Sequence, residues 1–199
     1  MRFTTAISTF LLAALAFAQT PATFLPSTNV TLDVYYGTQY ITPGLIVKKS
    51  ITQKTPVIGL TNATLSGKYL LAMIDIDGSS GNKPTTVLHA LLTDYTPSTT
   101  IQNGTTVLKT TATGPSSYFG PAPPAGQPAT HRYVFVLHTQ PANFAVPAAH
   151  KQAVSSRFAI DWVKFVADAG LGAPVAGNYL QVRSGDNTRR LGRGKGGMS

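Results

Sequence analysis

Residues Tyr69-Leu-Leu-Ala-Met-Ile-Asp75 run through six apolar side chains without a polar break and end on a carboxylate. So short and continuous a run, followed by the turn signals Gly78-Ser-Ser-Gly-Asn82, reads as a strand covered on both faces. Val87-Leu-His-Ala-Leu-Leu92 and Tyr133-Val-Phe-Val-Leu137 share this character. Together the three runs predict a central sheet. Farther out, Val30, Leu32, Val34 and Tyr36 alternate with polar residues, the pattern of a half-buried strand. Between these runs, Asp94 to Gly104 and Gly114 to Thr130 carry the prolines and glycines of irregular turns.

A single stretch has helical period. Ser155 or Ser156 is placed to cap it, Phe158, Trp162, Phe165 and Val166 form its apolar stripe, and Gly170 ends it. Such an aromatic stripe reads as packing rather than as a ligand box. With no internal repeat, many strands and one helix predict a mainly β, mainly antiparallel architecture.

The ends differ in composition from the body. Met1-Arg2, the apolar run Ala6 to Phe17 and the small residues of Ala16-Phe17-Ala18 have the form of a secretory signal peptide over residues 1–18, too short to span a bilayer. The expected product is a secreted, extracellular chain starting at Gln19, without a transmembrane segment. One domain is expected over residues 19–183. It contains no cysteine, so burial alone must hold it together. Asn29-Val-Thr31, Asn62-Ala-Thr64 and Asn103-Gly-Thr105 are candidate glycosylation acceptors.

From Ser184 a basic, glycine-rich tail follows, too polar to bury anything and expected to be disordered. Of the formal charge of +9, a net +4 lies between Arg183 and Lys195, where Arg183, Arg189, Arg190, Arg193 and Lys195 stand against the single acid Asp186; Arg2 carries +1 and the body the remaining +4. The body lacks a basic stripe interleaved with aromatics, which argues against nucleic acid as a partner.

The chemistry-bearing residues are few. If the first strand continues through Asp75-Ile-Asp77, the two carboxylates leave the same face, and their proximity would raise at least one pKa unless a cation or hydrogen bonds intervene. Alternatively, one of them caps the Gly78-Ser79 turn. A calcium loop is excluded: counting from Asp75, Gly78 is fourth where a glycine is needed sixth, Thr86 stands twelfth, and the chain contains no glutamate. His89 interrupts an apolar strand and needs a partner there. His131 and Tyr133 share a strand face that Arg132 and His138 do not, and His138 and His150 read as surface residues. Asp75, His89 and His131 also have the composition of a two-histidine, one-carboxylate metal site. There is no Gly-x-Ser-x-Gly motif and no cysteine nucleophile.

Taken in order, Asp75-Ile-Asp77, His89, Tyr118-Phe-Gly-Pro-Ala-Pro-Pro124, His131-Arg-Tyr-Val-Phe135 and Pro174-Val-Ala-Gly-Asn-Tyr179 resemble the successive signatures of the phosphatidylethanolamine-binding protein family over roughly residues 30 to 182. The resemblance implies a β-sandwich-like fold with a large central antiparallel sheet and peripheral helices. It also implies a shallow pocket for phosphate or phosphorylated headgroups, and, in various relatives, protease inhibition or signalling roles. By this resemblance the ligand-binding residues are Asp75, His89, His131 and Tyr133, with the loop Gly120 to Pro124, including Pro123, as a wall. Asp77 would brace the loop and Tyr118 would support it.

The sequence departs from the family pattern at several places. Ile76 replaces a proline and Gly78-Ser79-Ser80 the residues after the second aspartate, which implies a looser loop. Val87 stands where a tryptophan is common, implying a less aromatic rim. Ala122 replaces a glycine, and Gln127-Pro128-Ala129 adds about one residue before His131. The expected function is non-enzymatic binding of a phosphate-containing small molecule or phospholipid headgroup, with no cofactor. A secreted protease inhibitor or interaction protein is the alternative.

Overall fold

The computed structural model describes residues 19–186; the expected leader and the tail from residue 187 lie outside the described residues. Ten strands follow in chain order: β1 Asp33–Tyr36, β2 Gln39–Tyr40, β3 Leu45–Val47, β4 Val57–Thr61, β5 Tyr69–Ser80, β6 Lys83–Gln102, β7 Thr105–Lys109, β8 Pro115–Ser116, β9 Thr130–Thr139 and β10 Ala176–Arg183. Two short helices, α1 Lys151–Ser156 and α2 Trp162–Asp168, and two 3-10 turns, Lys49–Gln53 and Ala148–His150, complete the chain. The strand order is β2-β1-β4-β7-β6-β5-β9-β10-β3, with β8 beside β6. All these pairings are antiparallel except that of β3 with β10. The fold is mainly β, a curled sheet, as expected.

The three apolar runs become β5, the middle of β6, and β9, side by side at the centre. Their alternate residues serve two cores. Leu71, Met73, Tyr133, Phe135 and Leu137 face one, with Leu32, Val34 and Ile58. Leu70, Ala72, Ile74, Val134 and Val136 face the other, beneath Trp162, Phe165 and Val166 of α2. Burial on both sides explains why these strands show no polar alternation.

Several expectations change. The segment from Asp94 to Gly104 is not a loop. β6 continues to Gln102, and Pro97 sits where its register with β7 slips, so the missing proline N–H falls at an irregularity of the ladder. Just before that point, between Tyr95 and Thr96, β6 exchanges β5 for β7 as its partner. β1 is buried along its whole length rather than half-buried, because Asp33 turns inward to accept bonds from Thr61 and Thr105 hydroxyls at 2.7 and 2.9 Å; Val30 lies outside the strand and is exposed. Gly78-Ser79-Ser80 do not form a loose loop but pair with Thr85, Pro84 and Lys83, and the turn is confined to Gly81-Asn82.

The single helix is two. Arg157 takes a left-handed φ of 72° and Ala159 one of 58°, which ends α1. Phe158 between them bridges Val87 of β6 instead of joining the stripe. α2 is capped by Asp161, whose carboxylate accepts the Lys164 N–H at 3.0 Å, not by Ser155 or Ser156. Gly170 terminates it with a positive φ, as expected.

His138 and His150 are buried, not surface residues. His138 Nδ1–H donates to the Gly172 carbonyl at 2.9 Å, and His150 Nε2 contacts the Asp168 carboxylate at 2.8 Å. The start of the tail is ordered too: Ser184 N–H and Gly185 N–H donate to the carbonyls of Ala129 and Pro123. Asn29, Asn62 and Asn103 are all exposed.

Candidate functional site

The site forms where β5, β6 and β9 run side by side. Asp75 is paired with Tyr133 across the β5–β9 ladder, and the period of two returns His131 to the same face. His131 Nδ1 lies 2.8 Å from Asp75 Oδ2, and both side chains are almost fully buried. The other carboxylate oxygen, Oδ1, accepts the Asp77 N–H at 2.8 Å, so Asp75 both orients an imidazole and caps its own turn.

His89 arrives by a different device. Along β6 the register passes from Met73↔Ala90 to Ile74↔Leu88, so His89 is the extra residue of a bulge. Such bulges re-aim a side chain. Its Nδ1–H donates to the Phe119 carbonyl at 2.9 Å, while its own carbonyl accepts the Phe119 N–H at 3.0 Å. The Phe119 ring stacks on the imidazole with centroids 3.8 Å apart, and Tyr133 meets it edge-on at 5.0 Å. Arg157 lies over the other ring partner, its Cζ 5.0 Å from the Phe119 centroid, and bonds to Ser117.

A cavity of about 200 Å³ separates these groups; Asp75, His89, His131 and Tyr133 line it. Its walls are Ala122-Pro123-Pro124 on one side and Gly78, Ser79 and Val87 with Phe119 and Phe158 on the other. A larger cleft of about 820 Å³ lies beside β7 and the threonine-rich segment after it, and neither His89 nor His131 reaches it.

The two imidazoles are tuned in opposite directions. The hydrogen bond to Asp75 raises His131 against the opposing effect of burial. Burial lowers His89 to about 4, because the Phe119 carbonyl and the more distant Asp75 charge compensate only part of the desolvation. Near neutrality, His89 is therefore neutral with Nδ1 protonated, and Nε2 keeps a lone pair. Burial and then the Asp75 charge hold the Tyr133 phenol well above its ordinary value, so it stays protonated.

Two assignments need correction, those of Gly120 and Asp77. Gly120 does not line the cavity; a Cβ there would stand 2.7 Å from the Thr52 carbonyl oxygen and 2.9 Å from Gln53 Cα, so this residue presses the loop onto the 3-10 turn. Tyr118 braces the same turn, donating to the Thr52 carbonyl at 2.6 Å while sharing a bond with Tyr36. At Asp77 a cation does intervene, that of Arg132. The Asp77 carboxylate accepts the Arg132 backbone N–H at 2.8 Å and grips the guanidinium at 2.7 and 2.6 Å, bracing β9 rather than a loop. Burial pushes Asp77 upward, but the bonds to Arg132 outweigh it and hold the carboxyl below its usual range.

Sequence reasoning missed Phe119 and Phe158. Both line the cavity, and Phe158 is brought to it by its bridge to Val87. Among the described residues no group of three histidine or carboxylate side chains is arranged to hold a metal ion. The Nδ1 atoms of both pocket imidazoles are already engaged, one by Asp75 and one by a carbonyl.

Residues 25–180 match the family model described as phosphatidylethanolamine-binding protein. Phomoidride biosynthesis cluster protein N of Talaromyces stipitatus is 31% identical, with 85% of this chain and 92% of that protein covered. Protein FLOWERING LOCUS T of Arabidopsis thaliana is 32% identical, with 82% and 86% covered. Among solved structures, a carboxypeptidase Y inhibitor complexed with its cognate proteinase superposes with a TM-score of 0.61 at 21% identity, covering 79% of this chain and 85% of that one. A phosphatidylethanolamine-binding protein from Plasmodium vivax gives 0.51 at 17% identity, with 80% and 90% covered. At these identities the two structures speak for the fold alone.

Proposed function

Because the chain belongs to the phosphatidylethanolamine-binding protein family, we propose that its small cavity binds a phosphate-bearing headgroup, or a small anion of the same chemistry, without changing it covalently. The observation that carries this reading is the buried His131–Asp75 pair at 2.8 Å. Asp75 holds the proton on His131 Nδ1, so the protonated ring presents Nε2–H as a charged donor for a phosphate oxygen. Neutral His89 offers an acceptor beside it, suited to a hydroxyl or a headgroup amine. A cavity of about 200 Å³ suits a headgroup; drug-sized ligands occupy roughly 300–1,000 Å³. Acyl chains would stay outside. Ser79 also lines the cavity, yet among the described residues no hydrogen bond joins its hydroxyl to His131, which favours binding over nucleophilic chemistry.

Calorimetric titration with phosphoethanolamine tests this. Losing a charge-assisted hydrogen bond costs about 1.5–3 kcal/mol, so His131→Gln weakens binding roughly 10- to 100-fold. Affinity falls as pH rises above about 6.5, through the raised value of His131, and His89 adds no titration in that range. No heat at pH 6, with no chemical-shift change at His89 or His131, refutes the reading.

A second reading is a secreted protease inhibitor, supported by the fold shared with the carboxypeptidase Y inhibitor. In that case inhibition survives in His131→Gln, because an exposed surface carries it; a protease panel that includes carboxypeptidases and shows no inhibition removes this option. Secretion itself rests on the apolar leader and the three exposed acceptor asparagines. A secreted product that starts at Gln19 and loses mass on deglycosylation is the expected outcome.

A further inference from the structure

We propose that the free edge formed by β3 and the end of β10 docks the protein onto a bilayer surface rich in anionic phospholipid, with Lys48 and Arg183 as the phosphate contacts. The proposal goes beyond headgroup capture and does not need the cavity to be filled. β3 is the last strand of the sheet and pairs in parallel with β10, placing Gln181 beside Ile46 and Val182 beside Val47. Val47 and Val182 are buried, so the residues next to them in each chain segment, Ile46, Lys48 and Arg183, turn to the other face. Ile46 is 47% exposed, and Lys48 and Arg183 are both exposed.

These side chains line a cleft of about 500 Å³ that also takes in Asp186. Lys48 follows Val47 just as Arg183 follows Val182, so the two cations emerge side by side. Like charges in that position repel, and among the described residues neither is joined to a carboxylate in an ion pair. The one acid of the cleft, Asp186, instead accepts the backbone N–H of Lys49 at 3.0 Å. The cleft therefore holds two adjacent cations beside an exposed aliphatic side chain. Bases for phosphates and an apolar residue for shallow insertion are what a charged membrane interface accommodates.

Position favours a lipid surface over an acidic peptide. Gly185 of the cleft donates its N–H to the Pro123 carbonyl at 3.2 Å, and Pro123 lines the headgroup cavity, so one hydrogen bond ties the lining of the cleft to the wall of the cavity. A lipid whose headgroup entered the cavity would have neighbouring phosphates within reach of the cleft. The sequence beyond Asp186 adds Arg189, Arg190, Arg193 and Lys195 and no acid.

Co-sedimentation with phosphatidylcholine vesicles, with and without phosphatidylserine, tests the proposal on wild type, Lys48→Ala/Arg183→Ala and Lys48→Arg/Arg183→Lys, all carrying the same N-terminus. Wild type prefers the phosphatidylserine vesicles and releases them as salt rises. Each basic residue near such a surface contributes about a factor of five, so the double alanine variant binds about 25-fold more weakly and the charge-conserving variant binds like wild type. Phosphoethanolamine titration is run on the same proteins. An unchanged heat in the double alanine variant shows that the fold and the cavity are intact. Equal sedimentation of wild type and the double alanine variant, no preference for phosphatidylserine, or capture of polyglutamate without capture of vesicles overturns the proposal. Absence of phosphoethanolamine heat alone overturns the headgroup reading and leaves this one standing.

Discussion

Acid should destabilise this protein through His89 in particular. The ring is 3% exposed and its pKa is lowered to about 4 by burial, against about 6.5 in an unfolded chain. Between those values the unfolded state binds a proton that the native state refuses, so stability rises with pH across that window and is lost as pH falls. The full difference is worth about 3 kcal/mol, and the share lost between pH 7 and pH 5 is about 2 kcal/mol. Because the Phe119 carbonyl takes the Nδ1–H, His89→Asn keeps a donor at nearly the same place while removing the titration. Urea unfolding of both proteins at pH 7, 6 and 5 isolates the effect, since His138, also lowered by burial, titrates equally in each. The wild type should lose about 2 kcal/mol more than His89→Asn over this range. Parallel pH profiles for the two proteins would show that His89 is not the buried neutral group described here.

Two further substitutions test the frame around the cavity. Gly120→Ala drives a Cβ into backbone atoms at 2.7 and 2.9 Å; it should destabilise by about 1–3 kcal/mol in urea unfolding and displace the Pro123-Pro124 wall, weakening phosphoethanolamine binding. Asp77→Asn removes the charge that grips Arg132, with an expected cost of about 1–2 kcal/mol at pH 7. Asp77 is held below its usual range, so its contribution is present above about 3.8 and disappears as pH falls through the folded value. At acid pH the variant and wild type should therefore converge.

The central strands were legible because the runs Tyr69 to Ile74 of β5 and Tyr133 to Leu137 of β9 are apolar throughout, and Val87 to Leu92 of β6 is apolar except at His89, a pattern that two cores produce and a single core does not. The far half of β6 was not. Pro97 and the polar residues near it read as a loop because nothing in the sequence marks where a ladder changes partner. The break between α1 and α2 was hidden for a related reason: Arg157 and Ala159 hold positive φ values without being glycine or asparagine. His138 and His150 looked like surface residues because their partners, the Gly172 carbonyl and Asp168, are distant in sequence and carry no signal of their own.

Within the cavity, the pattern named the two imidazoles, the carboxylate and the phenol but not their protonation. His89 and His131 look equivalent in sequence, as two imidazoles on apolar strands. Burial acts on both in the same direction, lowering the charged form. What separates them is the register of the sheet. Pairing Asp75 with Tyr133 puts its carboxylate 2.8 Å from His131 Nδ1, whereas the bulge at His89 turns that ring toward a neutral carbonyl. A carboxylate offsets the desolvation of its neighbour and a carbonyl does so only in part, so one ring is held basic and the other neutral. A phosphate with an attached amine or hydroxyl needs that inequality, a charged donor on one side and an acceptor on the other. Two equally protonated imidazoles would serve a bare anion better and a headgroup worse.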